Sequence, residues 1–518
     1  MTPHLNLIWQ ISGFLFIAIA TYLISINDTP PKTYLIFLCV SLIILRIPSF
    51  MVGEFFSNDE GEWISGAYSY LKDGKFWQEV DTSTSGPFVF LVPIIVILSG
   101  FHLDYATIRL FGLILSLIPT LCFLYYALKN LFNARTSQLV LLILWVSLGF
   151  TSSGDIIGYN SEAIPTLLFS IALYYFSTLN IQYKNYKIII IGVCLGALFW
   201  AKPQAIITGF IGFVCVIVWF LLNKKPLKTY TYFFTGGLIP SVFFLSYIFL
   251  NDLWHFFFVR FIQNNFLQAL SGLPIATHPR SYIFTYFWNL PEMRFLFIGA
   301  AIGSILIAFL FKRQLITWRT LGCYALFFSG IWSLAQTSNF FEHYKIIALV
   351  QTALMWGLII YLVNQKYKFL ERIVVTMVVI TGFYQIYVGS FLKTYQSADS
   401  KEDVELLALL MKSKQPNDRL AIWGGKSNLY VMTGMLRGSA EAHTTYALTR
   451  TGELGEFYQD DFLVKLEERR TKFFLEPIPK GSWRDKFGYE HYPKINDYIT
   501  KKYSVLKTCD AYRLFERK

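Results

Sequence analysis

Long apolar stretches separated by short polar turns constrain this chain more than any other feature. A helix needs about 20 apolar residues to cross the hydrocarbon core of a bilayer. Twelve stretches reach or approach that length: 5–25, 34–52, 105–128, 137–152, 162–179, 188–201, 205–222, 230–250, 295–311, 321–336, 346–363 and 373–392. Only 15% of the residues are charged, whereas soluble domains carry roughly 25%. The sequence therefore predicts an α-helical polytopic membrane protein with about 12 transmembrane helices.

Basic residues predict the orientation of these helices. They cluster in five turns, at 129–135, 184–187, 224–228, 312–319 and 366–372. The positive-inside rule places such turns in the cytoplasm. The loops that alternate with them then face the opposite side, and these loops hold the conspicuous acids: 53–87, 151–161, 202–204, 251–290 and 337–345.

The composition changes near residue 392, after which charges are dense and strand-like runs occur at 420–423 and 472–475. We therefore expect a membrane domain over 1–392, with functional outer loops at 53–87, 151–161 and 251–290. A small soluble α/β domain is expected over 393–518, on the same non-cytoplasmic side. The short stretch 88–100 is predicted to be interfacial or re-entrant. The first stretch lacks a basic flank and is predicted to be a retained helix.

The net charge of +12 does not predict nucleic-acid binding. The basic residues lie mostly in the short turns and in the last part of the chain, as membrane topology requires. Five of the six cysteines fall in apolar stretches and only Cys509 lies in the polar region, so neither a disulfide framework nor zinc-ligand spacing is predicted. No metalloprotease, P-loop or nucleophile-elbow motif occurs.

An acidic cluster, Asp59, Glu60 and Glu62, directly follows the second apolar stretch. Trp63 and Tyr70 continue it at helical spacing, which predicts a short helix that presents the acids. Charge at a membrane boundary is costly, so one reading is a carboxylate that serves as a general base. The other reading is a set of solvated loop acids, and position alone leaves both open.

Asp155, Asn160 and Glu162 form a second acidic site, directly before another apolar stretch. Helix capping would explain Asn160 and Glu162 without any function. Lys202, which interrupts an apolar region beside Pro203, could hold a phosphate or could simply extend its charge to the membrane surface.

Weaker candidates lie in the later outer loops. They are Arg260, His278 and Arg280, and the run Glu342-His343-Tyr344-Lys345 at another helix start. A lone histidine in such a place is more often structural than functional.

Taken in order, these loops resemble the GT-C membrane glycosyltransferases, in particular bacterial relatives of the protein O-mannosyltransferases and the lipid A aminoarabinose transferase. The resemblance covers about residues 53–363. It rests on Asn58-Asp59-Glu60, Ser85-Gly86-Pro87, Arg109, Glu162 before a Leu/Phe-rich helix, Ala201-Lys202-Pro203 and His343-Tyr344. The chain departs from the family in having Phe88 for a second proline, Glu162 for an aspartate, and two apolar stretches before the first loop.

The resemblance implies a transferase for hexosyl or pentosyl groups that uses a polyprenyl-phosphate sugar in the bacterial inner membrane and faces the periplasm. The implied acceptor is an envelope glycan or lipid such as lipopolysaccharide. No cofactor is required, although a divalent cation, Mg²⁺ or Mn²⁺, near Asp59, Glu60 and Glu162 is compatible with these residues. The implied roles are catalysis for Asp59, Glu60 and Glu162; donor-phosphate binding for Lys202, Arg260 and Arg280; and substrate binding for Glu62, Asp155, Asn160, His343 and Tyr344.

Two other functions fit a polytopic chain. A flippase or transporter of lipid-linked sugars would favour paired charges near the bilayer midplane and inverted repeats, neither of which the sequence shows. An O-antigen polymerase or ligase would share the donor lipid, but such proteins usually lack an early acid pair.

Overall fold

A computed structural model describes residues 3–26, 30–51, 58–151, 153–271, 278–311, 317–336, 339–367, 369–388, 401–481 and 483–518. The chain divides into two compact units. The first, here called the membrane unit, comprises Met1–Val52, Arg109–Ser246 and His278–Gln396. The second, the α/β unit, comprises Gly53–Ile108, Tyr247–Thr277 and Ser397–Lys518. The predicted domain boundary at 392 lies outside the described residues, and the division into 1–392 and 393–518 stays a prediction.

Nineteen helices occupy the described residues before 401. They are α1 Pro3–Ser25, α2 Pro31–Met51, α3 Asn58–Asp73, α4 Leu91–Leu98, α5 Tyr105–Gly112, α6 Ile118–Leu131, α7 Ala134–Gly149, α8 Gly154–Ile157, α9 Ala163–Thr178, α10 Asn185–Ala201, α11 Ile206–Leu222, α12 Leu227–Leu250, α13 Trp254–Phe256, α14 Asn264–Ser271, α15 Ile283–Asn289, α16 Pro291–Leu310, α17 Trp318–Ala335, α18 Leu349–Lys366 and α19 Phe369–Val388. A π-helical turn, Leu113–Leu117, joins α5 to α6, and another, Phe257–Gln263, joins α13 to α14. Short 3₁₀ turns occur at Pro87–Phe90, Pro203–Ala205, Arg280–Tyr282 and Glu342–Ala348.

Seven helical segments among the described residues are long and apolar enough to cross a membrane. They are His4–Ser25, Pro31–Met51, Tyr105–Leu131, Pro203–Leu222, Leu227–Leu250, Met293–Leu310 and Glu342–Lys366. Four shorter apolar helices are Pro87–Leu98, Ala134–Gly149, Ala163–Thr178 and Asn185–Ala201. The prediction of a multi-pass helical membrane protein is confirmed, while the count of about 12 spans stays a prediction.

Two helices form the centre of the membrane unit. Every residue of α7 from Thr136 to Gly149 is buried, and so is every residue of α18 from Leu349 to Ile360. The two helices contact each other, and α2, α6, α16 and α19 pack around them. A helix that is apolar on every side is stable only when other helices or lipid surround it.

A close crossing joins α10 to α12. A Cβ atom on Gly196 would lie 2.1 Å from the carbonyl oxygen of Gly237, and one on Gly192 would lie 2.3 Å from that of Phe233. Small residues spaced four apart allow membrane helices to approach at backbone distance. The crossing matters for the site because Lys202 directly follows the last residue of α10.

The last part of the α/β unit is a five-stranded sheet with helices. Its strands are β1 Arg419–Ile422, β2 Leu436–Arg437, β3 Phe473–Glu476, β4 Tyr503–Thr508 and β5 Arg513–Arg517. Its helices are α20 Lys401–Ser413, α21 Asn428–Thr433, α22 Thr445–Thr449, α23 Gly452–Glu468, α24 Arg484–Phe487 and α25 Pro493–Lys502, with a 3₁₀ turn at Tyr489–His491. The predicted α/β character and the strand-like runs at 420–423 and 472–475 are confirmed.

The strand order is β2-β1-β3-β5-β4. The pairs β1–β2 and β1–β3 are parallel, whereas β3–β5 and β4–β5 are antiparallel. Successive side chains enter opposite faces: Phe474 packs with Trp423 and Phe515 on one side, and Leu475 packs with Leu514 on the other. The runs Leu420–Ile422 of β1 and Phe473–Leu475 of β3 are apolar because both faces of these strands are covered.

Candidate functional site

In the membrane unit, Glu162 and Lys202 form a buried ion pair. Lys202 Nζ lies 2.9 Å from Glu162 Oε1, and the two side chains are 3% and 0% exposed. The lysine also donates to Ser161 Oγ at 2.7 Å, and that hydroxyl in turn donates to Glu162 Oε2 at 3.1 Å. Glu162 stands at the N-cap of α9 but makes no side-chain capping bond. Capping therefore does not explain Glu162.

The 3₁₀ turn Glu342–Ala348 completes this cluster. Lys202 Nζ lies 5.3 Å from the centre of the Tyr344 ring, and His343 Nδ1 lies 3.6 Å from Asp155 Oδ2. Thr166 Oγ1 donates to the carbonyl of Ile346 at 3.0 Å, which ties α9 to the turn. Predicted residues that are up to 189 positions apart in sequence therefore meet in the membrane unit.

Asn160 has a structural part in this cluster. Its amide nitrogen donates to the carbonyls of Asp155 and, at 2.9 Å, of Gly158, which closes the turn before α9. Its buried Oδ1 accepts no hydrogen bond from the described residues. Only that oxygen is available for the predicted contact with substrate.

Lys345, which the sequence marks only as a weaker candidate, is fully buried beside the cluster. Its Nζ pairs with a carboxylate oxygen of Glu342 and lies 4.1 Å from the centre of the Tyr286 ring. Tyr286 OH donates to the carbonyl of Phe341 at 2.6 Å. Lys345 stands directly before the apolar stretch 346–363, and this position is the signal that marks it in the sequence.

In the α/β unit, the acids predicted from the first outer loop lie on α3, which confirms the predicted helix. Asp59 and Glu60 stand in its first turn, where the positive end of the helix dipole favours negative charge. Glu60 and Glu62 are buried, and Asp59 is half-buried. Glu62 Oε2 lies 3.2 Å from Nε2 of His443.

Arg260 occupies a second charged cluster of the α/β unit. Its guanidinium donates to a carboxylate oxygen of Asp461 and to the carbonyl of Trp77, and its Nε lies 3.8 Å from Asp81 Oδ2. The side chain is 1% exposed. Arg260 is therefore held by protein carboxylates in this structure, and its predicted role in binding donor phosphate stays a prediction.

Burial and neighbouring charges shift the pKa values of several side chains in the α/β unit. Burial raises the pKa of Asp81 to about 6, although Arg260 acts in the opposite direction. Burial raises the pKa of Glu441 well above its ordinary range, and the neighbouring Asp81 adds to the rise. Burial alone would lower the pKa of His443, but the Glu62 carboxylate outweighs burial and raises it to about 9. Clusters of perturbed groups are common at functional sites.

The remaining sequence candidates are Arg280, His278 and a metal site. Arg280 begins a 3₁₀ turn, and its side chain lies outside the described residues. His278 stacks on Tyr282 with ring centres 4.2 Å apart. Across the described part of the chain, no group of three or more His, Cys, Asp or Glu side chains is placed to hold a metal ion.

Comparison with solved structures identifies the fold. ArnT from Cupriavidus metallidurans bound to undecaprenyl phosphate matches with a TM-score of 0.61 at 10% identity, over 93% of this chain and 98% of that one. The apo form of the same protein matches with a TM-score of 0.57 at 11% identity, over 93% and 98%. The oligosaccharyltransferase of Archaeoglobus fulgidus in its apo form matches with a TM-score of 0.55 at 11% identity, over 92% of this chain and 73% of that one.

The chain has the GT-C fold. No family model and no curated protein sequence matches it. At 10–11% identity this likeness shows the fold alone. The predicted fold class is confirmed, and the roles of the individual site residues stay predictions.

Proposed function

We propose that this protein is an integral membrane glycosyltransferase that moves a sugar from a polyprenyl-phosphate donor to an envelope glycan or lipid, with inversion at the anomeric carbon. The observation that carries the proposal is the buried Glu162–Lys202 pair, with His343 and Tyr344 beside it, in a chain of GT-C fold. The similar ArnT structure was solved with undecaprenyl phosphate bound, and a lipid phosphate of that kind is the proposed leaving group.

The chemistry of a sugar phosphate matches these residues. Phosphate is already a stable anion, so its departure needs a nearby cation more than a strong acid. Lys202 carries that charge, and a lysine ammonium binds phosphate as a compact point charge. Glu162 and Ser161 hold the ammonium in place. In the absence of substrate the carboxylate also offsets the cost of burying the lysine.

Asp59 is the proposed general base. The acceptor hydroxyl gives its proton to the Asp59 carboxylate while its oxygen forms a bond to the anomeric carbon. The bond from that carbon to the phosphate oxygen breaks, and the electron pair leaves with polyprenyl phosphate. A single displacement of this kind inverts the anomeric centre. Asp59 is suited to the role because it is half-exposed, whereas Glu60 and Glu62 are buried.

The remaining roles are proposed from the family resemblance. Glu60 supports Asp59, Arg260 and Arg280 contribute to donor phosphate binding, and Glu62, Asp155 and Asn160 contact substrate with His343 and Tyr344. The protein is proposed to lie in the bacterial inner membrane with these residues facing the periplasm, where a lipopolysaccharide or another envelope glycan would be the acceptor.

Asp59→Asn tests the proposal. Membranes containing each variant are given a panel of synthetic undecaprenyl-phosphate monosaccharides with cell-envelope extract, and release of undecaprenyl phosphate is measured. Loss of a general base costs about 10²- to 10⁴-fold in rate, so we expect a loss of that size at wild-type expression. Glu453→Gln, an exposed acid on α23, is the matched control and should keep full activity.

Full activity of Asp59→Asn would refute the base assignment. Consumption of only pyrophosphate-linked oligosaccharide would instead identify a polymerase or ligase. Movement of lipid-linked sugar across vesicles without release of undecaprenyl phosphate would identify a flippase.

A further inference from the structure

Residues 427–445 of the α/β unit pack against the acidic helix α3. They are here called the clasp segment. Ser427 Oγ donates to the carbonyl of Asn58, and the guanidinium of Arg437 donates to the carbonyl of Glu62. Arg437 Nε also donates to Ser65 Oγ at 3.0 Å, and its side chain is fully buried. The clasp segment therefore contacts the first two turns of α3, which carry Asp59.

Two glycines of α3 make this approach possible. A Cβ atom on Gly61 would lie 2.8 Å from the backbone carbonyl of Ser427. One on Gly66 would lie 2.7 Å from Arg437 Nη2 and closer still to the ring of Phe90. Any larger residue at either position would push the clasp segment away from the helix.

His443 is the histidine of the clasp segment. Its Nε2 lies 3.2 Å from Glu62 Oε2, and its Nδ1 lies 3.0 Å from Thr445 Oγ1. With one ring nitrogen on the carboxylate and the other on a hydroxyl, the imidazole has a fixed orientation. The Glu62 side chain is 5% exposed, so its charge needs a partner inside the protein.

We propose that His443 is a positioning residue: as an imidazolium it holds the Glu62 carboxylate, and with it the acidic first turn of α3, in place for sugar transfer. The part that concerns transfer rests on the proposed function. Asp59 and Glu62 are three residues apart and share one face of α3. Without the imidazolium, the negative charges of Asp59 and Glu62 would repel each other with less compensation, and Asp59 would move. Displacement of a reacting group by about 1 Å can cost 10²-fold in rate.

The protonation of His443 determines the pH range over which its interaction with Glu62 is present. The groups that face it are Glu62 and Asp59 on α3, Glu441 in its own segment, and the Thr445 hydroxyl. Because the folded-state pKa of His443 is raised from 6.5 to about 9, the interaction is fully present below pH 6.5. It is lost as the pH rises through about 9.

The test compares His443→Gln with His491→Gln, in which an exposed histidine of the same unit is replaced. Hydrogen exchange of residues 58–73 is measured at pH 7 on the full-length protein in detergent. Release of undecaprenyl phosphate from the synthetic donor panel is measured from pH 6 to 10. We expect faster exchange in α3 and about a tenfold lower kcat for His443→Gln only, with KM for the donor changed by less than about twofold.

The wild-type rate should fall above about pH 9, and that fall should be absent in His443→Gln. Unchanged α3 exchange in His443→Gln would overturn the proposal, whatever the activity. A lower rate with an unaltered pH profile would also overturn it, because it would indicate a purely structural effect. If wild type releases no undecaprenyl phosphate, the proposed function fails, while the exchange result still decides the positioning role.

Discussion

Glu162 and Lys202 are each costly to bury alone. An unpaired charge in a low-dielectric interior loses several kcal/mol of hydration, and these side chains are 0% and 3% exposed. The ion pair compensates for this loss, but a pair of apolar side chains would do so at least as well. Stability alone therefore does not account for the pair, and binding of a phosphate by Lys202 is the use that we propose for it.

Removing one member of the Glu162–Lys202 pair should lower the stability of the protein more than removing both. We expect Lys202→Met to destabilise the protein by about 3–5 kcal/mol, because Glu162 then stays buried without a partner. The double variant Lys202→Met/Glu162→Gln should recover most of that stability yet remain inactive. Thermal unfolding in detergent and release of undecaprenyl phosphate measure the two effects.

Lys224→Met, at an exposed turn, is the control for these measurements. Equal destabilisation of the single and double variants would contradict the ion-pair account. Activity in the double variant would remove Lys202 from the proposed mechanism.

The sequence alone selected Glu162, Lys202 and His343 as candidates because each lies directly before or within an apolar run, where a polar residue is expensive. It could not pair Glu162 with Lys202, since a contact across 40 positions leaves no mark in a single sequence. His443 was missed for the same reason: it lies among small and polar residues, and its partner Glu62 is 381 positions earlier. Burial, which raises the pKa of Asp81, also becomes visible only in the fold.

At the scale of elements, the crossing of α10 and α12 places Lys202. The lysine directly follows α10, and α10 approaches α12 at backbone distance through Gly192, Gly196 and Gly237. The Gly192–Gly196 spacing is readable from sequence as a small-residue motif. Its partner helix is not, because glycines are frequent in membrane helices generally.

Gly196→Ala should separate the two helices. Its Cβ would lie 2.1 Å from the Gly237 carbonyl oxygen, and a backbone atom cannot rotate aside. We expect a loss of about 1–3 kcal/mol, as for other overpacked sites, although alanine favours helix. Transfer activity should fall further than stability does, since Lys202 moves with the end of α10.

Gly322→Ala on α17 is the matched control, because its Cβ would meet nothing closer than 3.8 Å. That variant should be as stable as wild type or more so. Thermal unfolding of both variants in the same detergent gives the comparison. A Gly196→Ala protein of wild-type stability would show that the helices can separate without cost.

For the whole molecule, the apolar runs and the basic turns predict both the membrane class and the side on which each loop lies. The class is confirmed by the GT-C fold. The division into units was less readable: the sheet belongs to a unit that also includes Gly53–Ile108 and Tyr247–Thr277. A change of composition marks where charge density rises, but not which distant loops pack together.

Cysteine labelling tests the predicted sidedness. In a Cys509→Ser background, Glu453→Cys lies in the predicted outer domain and Lys224→Cys in a predicted cytoplasmic turn, and both positions are exposed. A membrane-impermeant maleimide added to cells with a permeabilised outer membrane should label Glu453→Cys alone. After the inner membrane is opened, both should react. The reverse pattern would overturn the positive-inside assignment.

The α/β unit is built from three separate stretches of the chain, and this has a consequence for biosynthesis. Helix α3 emerges from the ribosome more than 300 residues before Arg437 and His443, which contact it in the folded protein. During that interval Glu62 lacks the contact with His443 that it makes in the folded chain. A product that terminates before residue 437 would lack both contacts to α3, so the acidic helix is completed only late in synthesis.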